Sequence, residues 1–512
     1  MKYKKVKVNI KFISVILALI LFISSVLFIL SCSSENSKLN SNSNGNEQDQ
    51  NQDQNNLGDS NKDANDAELT EPEPDIPVID MKGKEITFAV LDWYNYDPLD
   101  IVDISVDELI GESFNDAAYN RNIYMEQTYN CTINAVSFPD CNGDLPKIIR
   151  TIKAGDDTYD ICIIRSRFYL SALTGGVLQN LDDIPYIDLN NKWWDKNSVD
   201  VISLGKKKYA LLGDYTTATM NCVWNTYFNK KLIKDFSLED PYKLVKEGKW
   251  TIDKMYEMGK GVAFDLNSDG KIDTDDRYGI AHIIDSATSL LNSFGERFAE
   301  TDSNNTLYLS LGSENAMEKF MHIVEIFKDH DVCFNSHFRT TEPSKYEAQM
   351  FINNQALFCL GGIYYGPEMR AMEEEYGILP YPKYNEDQKE YYNSTLIVAL
   401  PLLTIPVTNN DLENTGLFLE AYSYQGYKNI RPQFYDVLLQ RKVARDDESA
   451  EMLDFIFNNI FMDVGALYNF SGVSEKINDM NGKGDANIAS YLEKNKDKID
   501  KEIQKLMDAI TE

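Results

Sequence analysis

Histidine is scarce in this chain, with four in 512 residues: His282, His322, His330 and His337. None stands in an HExxH arrangement and no GxSxG elbow occurs, so zinc-hydrolase and serine-hydrolase chemistry have no local support. His330, Cys333 and His337 lack a fourth ligand for a zinc centre. No GxxxxGK[ST] loop is present, so any ATP hydrolysis must lie in another chain. Basic charge is also short: 50 Lys and Arg against 81 Asp and Glu leave a net charge of -31, which disfavours nucleic acid as a partner.

Cysteine is sparse and irregularly spaced. Beyond Cys32 there are Cys131, Cys141, Cys162, Cys222, Cys333 and Cys359, with no CxxC pair, which argues against a zinc ribbon. Cys162 and Cys359 lie in apolar runs, where a thiol behaves as a small hydrophobe. Cys131 and Cys141 flank a turn-rich stretch, and both a bridge in an oxidising exterior and two free thiols are open to them.

Apolar residues are plentiful. They make up 43% of the chain, and 30 Tyr and 24 Phe are enough for a packed core, while the length points to two or three domains. Five lysines at positions 2, 4, 5, 7 and 11 precede the uncharged, mostly apolar residues 12–30 and then Ser31-Cys32, the order of an export signal. Ile29-Leu30-Ser31-Cys32 resembles a bacterial lipobox, in which Cys32 becomes the lipidated N-terminus. An uncleaved membrane anchor is the alternative, since about 20 apolar residues also span a bilayer. Both place the body outside the cytoplasm. Residues 33–80 then begin as an Asn-, Gln-, Ser- and Asp-rich tether with no aromatic before residue 76, too polar to offset its chain entropy.

The body opens with the apolar run Ile86 to Leu91, which reads as a buried strand. A periodic helix over 115–129, a strand over 132–136, a helix over 144–154 and a strand over 159–164 follow. Alternation of this kind implies parallel pairing and an α/β lobe. A further strand is expected at Tyr209 to Leu212.

From there the chain resembles a known family. Tyr209-Ala210-Leu211-Leu212-Gly213-Asp214, followed by Trp224-Asn225-Thr226-Tyr227-Phe228-Asn229-Lys230-Lys231-Leu232, is similar to the extracellular solute-binding proteins of carbohydrate ABC importers. Gly248-Lys249-Trp250-Thr251 and the segment Phe351 to Phe358 with Gly361-Gly362 extend the resemblance, which runs over about residues 83–465. Asn354-Gln355 stand where that family usually carries a Gly, and Ile363-Tyr364-Tyr365 where it carries a Trp. The resemblance implies a two-lobe, periplasmic-binding-protein-like α/β fold with a ligand cleft between lobes. It divides the chain into a leader (1–32), a tether (33–80), an N-lobe (83–221 and 397–444), a C-lobe (222–396) and C-terminal helices completing the C-lobe (445–512).

A sugar offers flat C–H faces and rings of hydroxyls, so its site needs aromatic rings beside hydrogen-bonding side chains. Candidates fall just after strands, where open α/β sheets bind ligands. Trp93, Tyr94 and Asn95 follow the first strand, Arg165 the third, and Asp214 and Tyr215 the one at 209–212. Trp224 stands at the supposed crossover, and Tyr364 and Tyr365 follow a double glycine that leaves room for close approach. Of the adjacent Trp193 and Trp194, one is expected to point inward and one outward.

Asp265, Asn267, Asp269, Asp273 and Asp276 occupy positions 1, 3, 5, 9 and 12 of a calcium-type loop, with Gly270 at 6 and the Lys271 carbonyl at 7. The loop resembles the dockerin variety of EF-hand, with Asp in place of Glu at position 12, and a structural Ca2+ is expected. The expectation is therefore a monomeric, lipid-anchored binding protein on the outer face of a bacterial cell membrane, delivering a saccharide to ABC-transporter permease subunits. The alternatives are a secreted glycoside hydrolase or lyase, for which 81 acidic residues make any chosen carboxylate pair uninformative, and a glycan-binding sensor or adhesin.

Overall fold

Ile86 to Leu91 are buried on both faces, which calls for neighbouring strands on each side and helices above and below. The computed structural model describes residues 73–92, 101–204, 206–303, 306–340, 346–439 and 447–511; the leader with Cys32 and most of the tether lie outside them. Strand β1 (Lys84–Leu91) runs parallel to β2 (Cys131–Phe138), with Lys84 opposite Cys131, and parallel to β3 (Ile161–Arg165), with Phe88 opposite Ile161. Between β1 and β2 runs helix α1 (Ser113–Tyr129). Its inner face is Ala118, Arg121, Asn122, Met125 and Tyr129, one buried stripe at helical spacing in which Arg121 and Asn122 are polar. Asn130 ends it in the left-handed conformation, φ 49°. Helix α2 (Cys141–Lys153) leads into β3.

The second sheet starts at β4 (Trp224–Asn229), all of whose residues are buried. It adds β5 (Tyr278–His282), β8 (Cys333–Asn335), β9 (Ala356–Gly362) and β10 (Tyr376–Leu379) in the order β10-β4-β9-β5-β8, while β6 (Ala299–Thr301) and β7 (Leu307–Leu309) form a separate hairpin. The chain then returns to the first sheet as β11 (Pro401–Thr404), antiparallel to β3, giving the order β11-β3-β1-β2. The molecule is thus a two-lobed α/β protein.

Two segments pass between the lobes side by side, at Val223 and Thr395, and a third segment, 459–461, lies against them. Val223 bridges Thr395 and Asn393 bridges Ile460. Trp224 N–H donates to the Ser394 carbonyl at 2.9 Å, and Phe461 N–H to that of Asn393 at 2.8 Å. The last helix, Ile488–Thr511, packs on Tyr169–Thr174 of the first lobe and on β7 of the second.

The structure differs from the sequence expectation at 209–212. Leu211 exchanges hydrogen bonds with Leu403, 2.8 and 3.1 Å, but no ladder continues. Leu212 and Asp214 pair instead with the tryptophan loop, through Asp195 N–H to the Leu212 carbonyl and Asp214 N–H to the Trp193 carbonyl, each 2.9 Å. All six described cysteines are buried free thiols, so Cys131 and Cys141 form no bridge.

Candidate functional site

Residues 188–195 form a loop that presents two indoles side by side. Trp193 and Trp194 are both buried, so the expected inward–outward division does not occur. The reason is Glu420, on helix α3 (Leu412–Gln425). Its Oε2 accepts the Trp194 indole N–H at 2.7 Å, and its Oε1 accepts that of Trp193 at 3.1 Å. Gly213 crosses behind this loop. A side chain there would press into the Trp193 carbonyl and stand 2.8 Å from the Trp194 ring.

Next in the chain, Asp214 pairs with Arg431 at 3.3 Å. Burial pushes the Asp214 carboxyl up to about 6, against the pull of the guanidinium. Arg431 opens helix α4 (Arg431–Leu439), joined to α3 by a π-helical turn, Gly426–Ile430. The wider turn is accommodated because Gly426 has no side chain to strike the Asp214 carbonyl.

These groups enclose a cavity of about 290 Å³. Trp194, Asp214 and Arg431 form one wall, Thr219, Val223 and Thr395 of the crossing segments another, and Phe457 and Asn458 of helix α5 (Asp447–Asn458) with Ile460 and Met462 close it. A second chamber of about 530 Å³ shares Lys192 and Arg431 with it and adds Tyr427, Lys428, Tyr435 and Asp454. Aromatic faces, carboxylates, cations, hydroxyls and an amide thus converge where both lobes and the two crossing segments meet. Such a surface suits a polar, many-hydroxyl solute.

Of the sequence-selected residues, Asp214 lines this cavity. Trp93, Tyr94 and Asn95 lie outside the described residues. Arg165 does not line the cavity. It is buried, donating from Nε to the Leu91 carbonyl at 3.0 Å and from Nη1 to that of Ala399 at 2.8 Å, and so ties β1 to the returning crossover. Tyr215 is buried, its hydroxyl on the Pro401 carbonyl at 2.8 Å.

Trp224, Tyr364 and Tyr365 are buried together at the crossing end of the second sheet, with ring centroids of Trp224 and Tyr364 6.5 Å apart. Gly361 and Gly362 make room for the protein's own Tyr365 and Tyr364 rings, where a ligand was expected. The same end holds unpartnered buried polar atoms, among them Trp224 Nε1, both amide atoms of Asn225, Asn393 Nδ2 and Thr395 Oγ1, and Thr395 also borders the cavity. The sequence reading missed Arg431 and Glu420 as site residues, and of Trp193 and Trp194 it offered at most one to the solute. The Trp-Trp pair in a polar context was the one local signal.

In the calcium-type loop, Gly270 takes the left-handed conformation, φ 81°, and Asp265 accepts the N–H groups of Ser268 and Gly270 at 2.6 and 2.8 Å. Asn267 and Asp269 accept from Asp269 and Lys271 N–H, each 2.9 Å. Asp276 is buried and accepts from Leu266 and Asp273 N–H, each 2.9 Å. The donor set is all oxygen and the turn is formed, as a hard dication requires. The side chains nevertheless face backbone N–H groups, and among the described residues no group of three or more His, Cys, Asp or Glu is gathered for a metal.

Two lobes joined by several chain crossings define the periplasmic-binding-protein-like fold class. The structure resembles the galacto-N-biose/lacto-N-biose I-binding protein of a Bifidobacterium longum ABC transporter, in complex with lacto-N-biose. The TM-score is 0.57 at 12% identity, over 82% of this chain and 98% of that one. It also resembles an ABC substrate-binding protein from Listeria monocytogenes in complex with cycloalternan, TM-score 0.52 at 13% identity, over 82% and 99% of the two chains. A cyclo/maltodextrin-binding protein complexed with maltotetraose gives 0.52 at 13%, over 84% and 97%. No family sequence model and no curated protein matches the chain.

Proposed function

We propose that this chain is a solute-binding protein that captures a saccharide between its lobes and delivers it to ABC-transporter permease subunits. The observation that carries the reading is the cavity bordered by both crossing segments and by the segment 459–461 packed on them, and lined by Trp194, Asp214 and Arg431. An indole face beside a carboxylate and a guanidinium matches the apolar faces and vicinal hydroxyls of a sugar. The fold shared with three saccharide complexes supports the same reading. No catalytic step is assigned to the chain.

Within this proposal the leader is cleaved, Cys32 carries lipid, and residues 33–80 tether a monomeric body to the outer face of the cell membrane. The N-lobe comprises 83–221 and 397–444, the C-lobe 222–396, and residues 445–512 complete the C-lobe. Trp93 and Tyr94 would offer the solute further rings and Asn95 an amide. The residues that would hold a structural Ca2+ are Asp265, Asn267, Asp269, Asp273, Asp276 and the Lys271 carbonyl.

The test is thermal unfolding of the soluble fragment from residue 76 across a panel of mono- and oligosaccharides, with and without calcium. A ligand bound only by the folded state raises the midpoint, by an amount equivalent to about 2.7 kcal/mol at 100 times Kd. A saccharide-specific rise without consumption of the sugar is expected. Turnover would make the chain an enzyme, and no response from any sugar would move the solute to another class. A calcium-dependent rise lost in Asp265→Ala is the expected sign of the metal.

A further inference from the structure

The cavity's aromatic wall is held by a group that does not itself line it. Glu420 sits within α3, 1% exposed, and its carboxylate accepts four donors. The Trp193 indole N–H (3.1 Å) and the Asn191 amide (2.6 Å) meet Oε1; the Trp194 indole N–H (2.7 Å) and the Asp188 backbone N–H (3.3 Å) meet Oε2. Burial pushes its pKa up and these donors oppose the shift. Two oxygens with two lone pairs each are fully used by four N–H groups. The rest of the loop is fixed as firmly. The Trp193 ring meets Tyr424, one turn further along α3, edge to face at 5.1 Å, and Gly213 closes the far side.

We infer that Glu420 is a positioning residue for solute binding: it fixes the plane in which the Trp194 indole faces the cavity, and so the face of the sugar ring that the site accepts. The inference rests on the reading of the cavity as the solute site. Its chemical basis is that a neutral side chain of the same shape cannot replace the carboxylate. In Glu420→Gln, one of the two acceptor positions becomes an NH2 donor. Whichever way the amide turns, that donor confronts an indole N–H, and one tryptophan must swing away.

The experiment measures dissociation constants for the panel saccharide that gives the largest thermal shift, on wild type, Glu420→Gln, Trp194→Phe and the double variant. The indole N–H resonances of the ligand-free proteins are recorded alongside. Trp194→Phe keeps an aromatic face but has no N–H for Glu420 to hold. Loss of a charge-assisted hydrogen bond predicts about a 10-fold or greater weakening for each single variant. The double variant should be within about twofold of the weaker single variant, because both changes remove one interaction. The wild-type Trp194 indole N–H should exchange slowly and shift on saccharide addition, a readout that fold stability alone does not move.

Wild-type affinity in Glu420→Gln, or losses that multiply in the double variant, would overturn the role of Glu420 and leave the solute site standing. Should Glu420→Gln fail to fold, Trp194→Phe decides: wild-type affinity there overturns the inference. If no saccharide binds the wild type, the reading of the cavity fails and the inference with it.

Discussion

Buried carboxyls set the pH response of single residues here. Asp214 is pushed up to about 6 and Asp285 to about 6, and Glu347, whose Oε1 accepts the Tyr365 hydroxyl, to about 7, all chiefly by burial. Each folded-state pKa lies above its unfolded value. The stability that protonation contributes is therefore fully present below about pH 4 and is lost as pH rises through 6 to 7. For Asp214, about two pKa units correspond to about 3 kcal/mol. The melting temperature of the ligand-free protein should accordingly fall between pH 5 and pH 7.5, and Asp214→Asn should shrink that fall. An unchanged slope in the variant would place the Asp214 pKa near its ordinary value. Arg121 is the opposite kind of residue, a buried cation whose Nη1 donates to the Tyr215 carbonyl at 3.2 Å and whose plane lies 3.9 Å over the Tyr422 ring.

Secondary-structure elements carried most of what the sequence could tell. β1 and β3 announce themselves because strands buried on both faces need unbroken apolar runs, and Thr251 marks a helix start because its hydroxyl caps Lys254 N–H at 3.2 Å. The site was less legible. Glu420 and Trp194 are 226 positions apart, and Asp214 and Arg431 217, so no local pattern joins them. Residues selected for following a strand were instead used to tie the strands together, as Arg165 does. The rod from α3 through the π-helical turn to α4 shows why elements matter to function, since it grips the tryptophans at one end and supplies Arg431 at the other. Gly426→Ala should break this arrangement, because the new methyl would collide with the Asp214 carbonyl. A cost of about 1–3 kcal/mol in denaturant unfolding is expected, with weaker solute binding. An unaltered midpoint would mean that the turn relaxes freely.

At the scale of the whole molecule, the fold itself was legible because several moderate resemblances fell in the right order along the chain. The six buried thiols have a consequence for handling and for measurement. With no bridge among them, folding needs no oxidase, and the body can be made in a reducing cytoplasm without loss. Burial raises Cys131 to about 11 and both Cys162 and Cys222 to about 12, so these three stay protonated, and burial keeps all six out of reach of alkylating reagents. Alkylation followed by mass spectrometry should show all six capped only as molecules open, and the solute should slow that capping. The chain thus carries its own clock for unfolding, spread over both lobes and readable without any engineered residue.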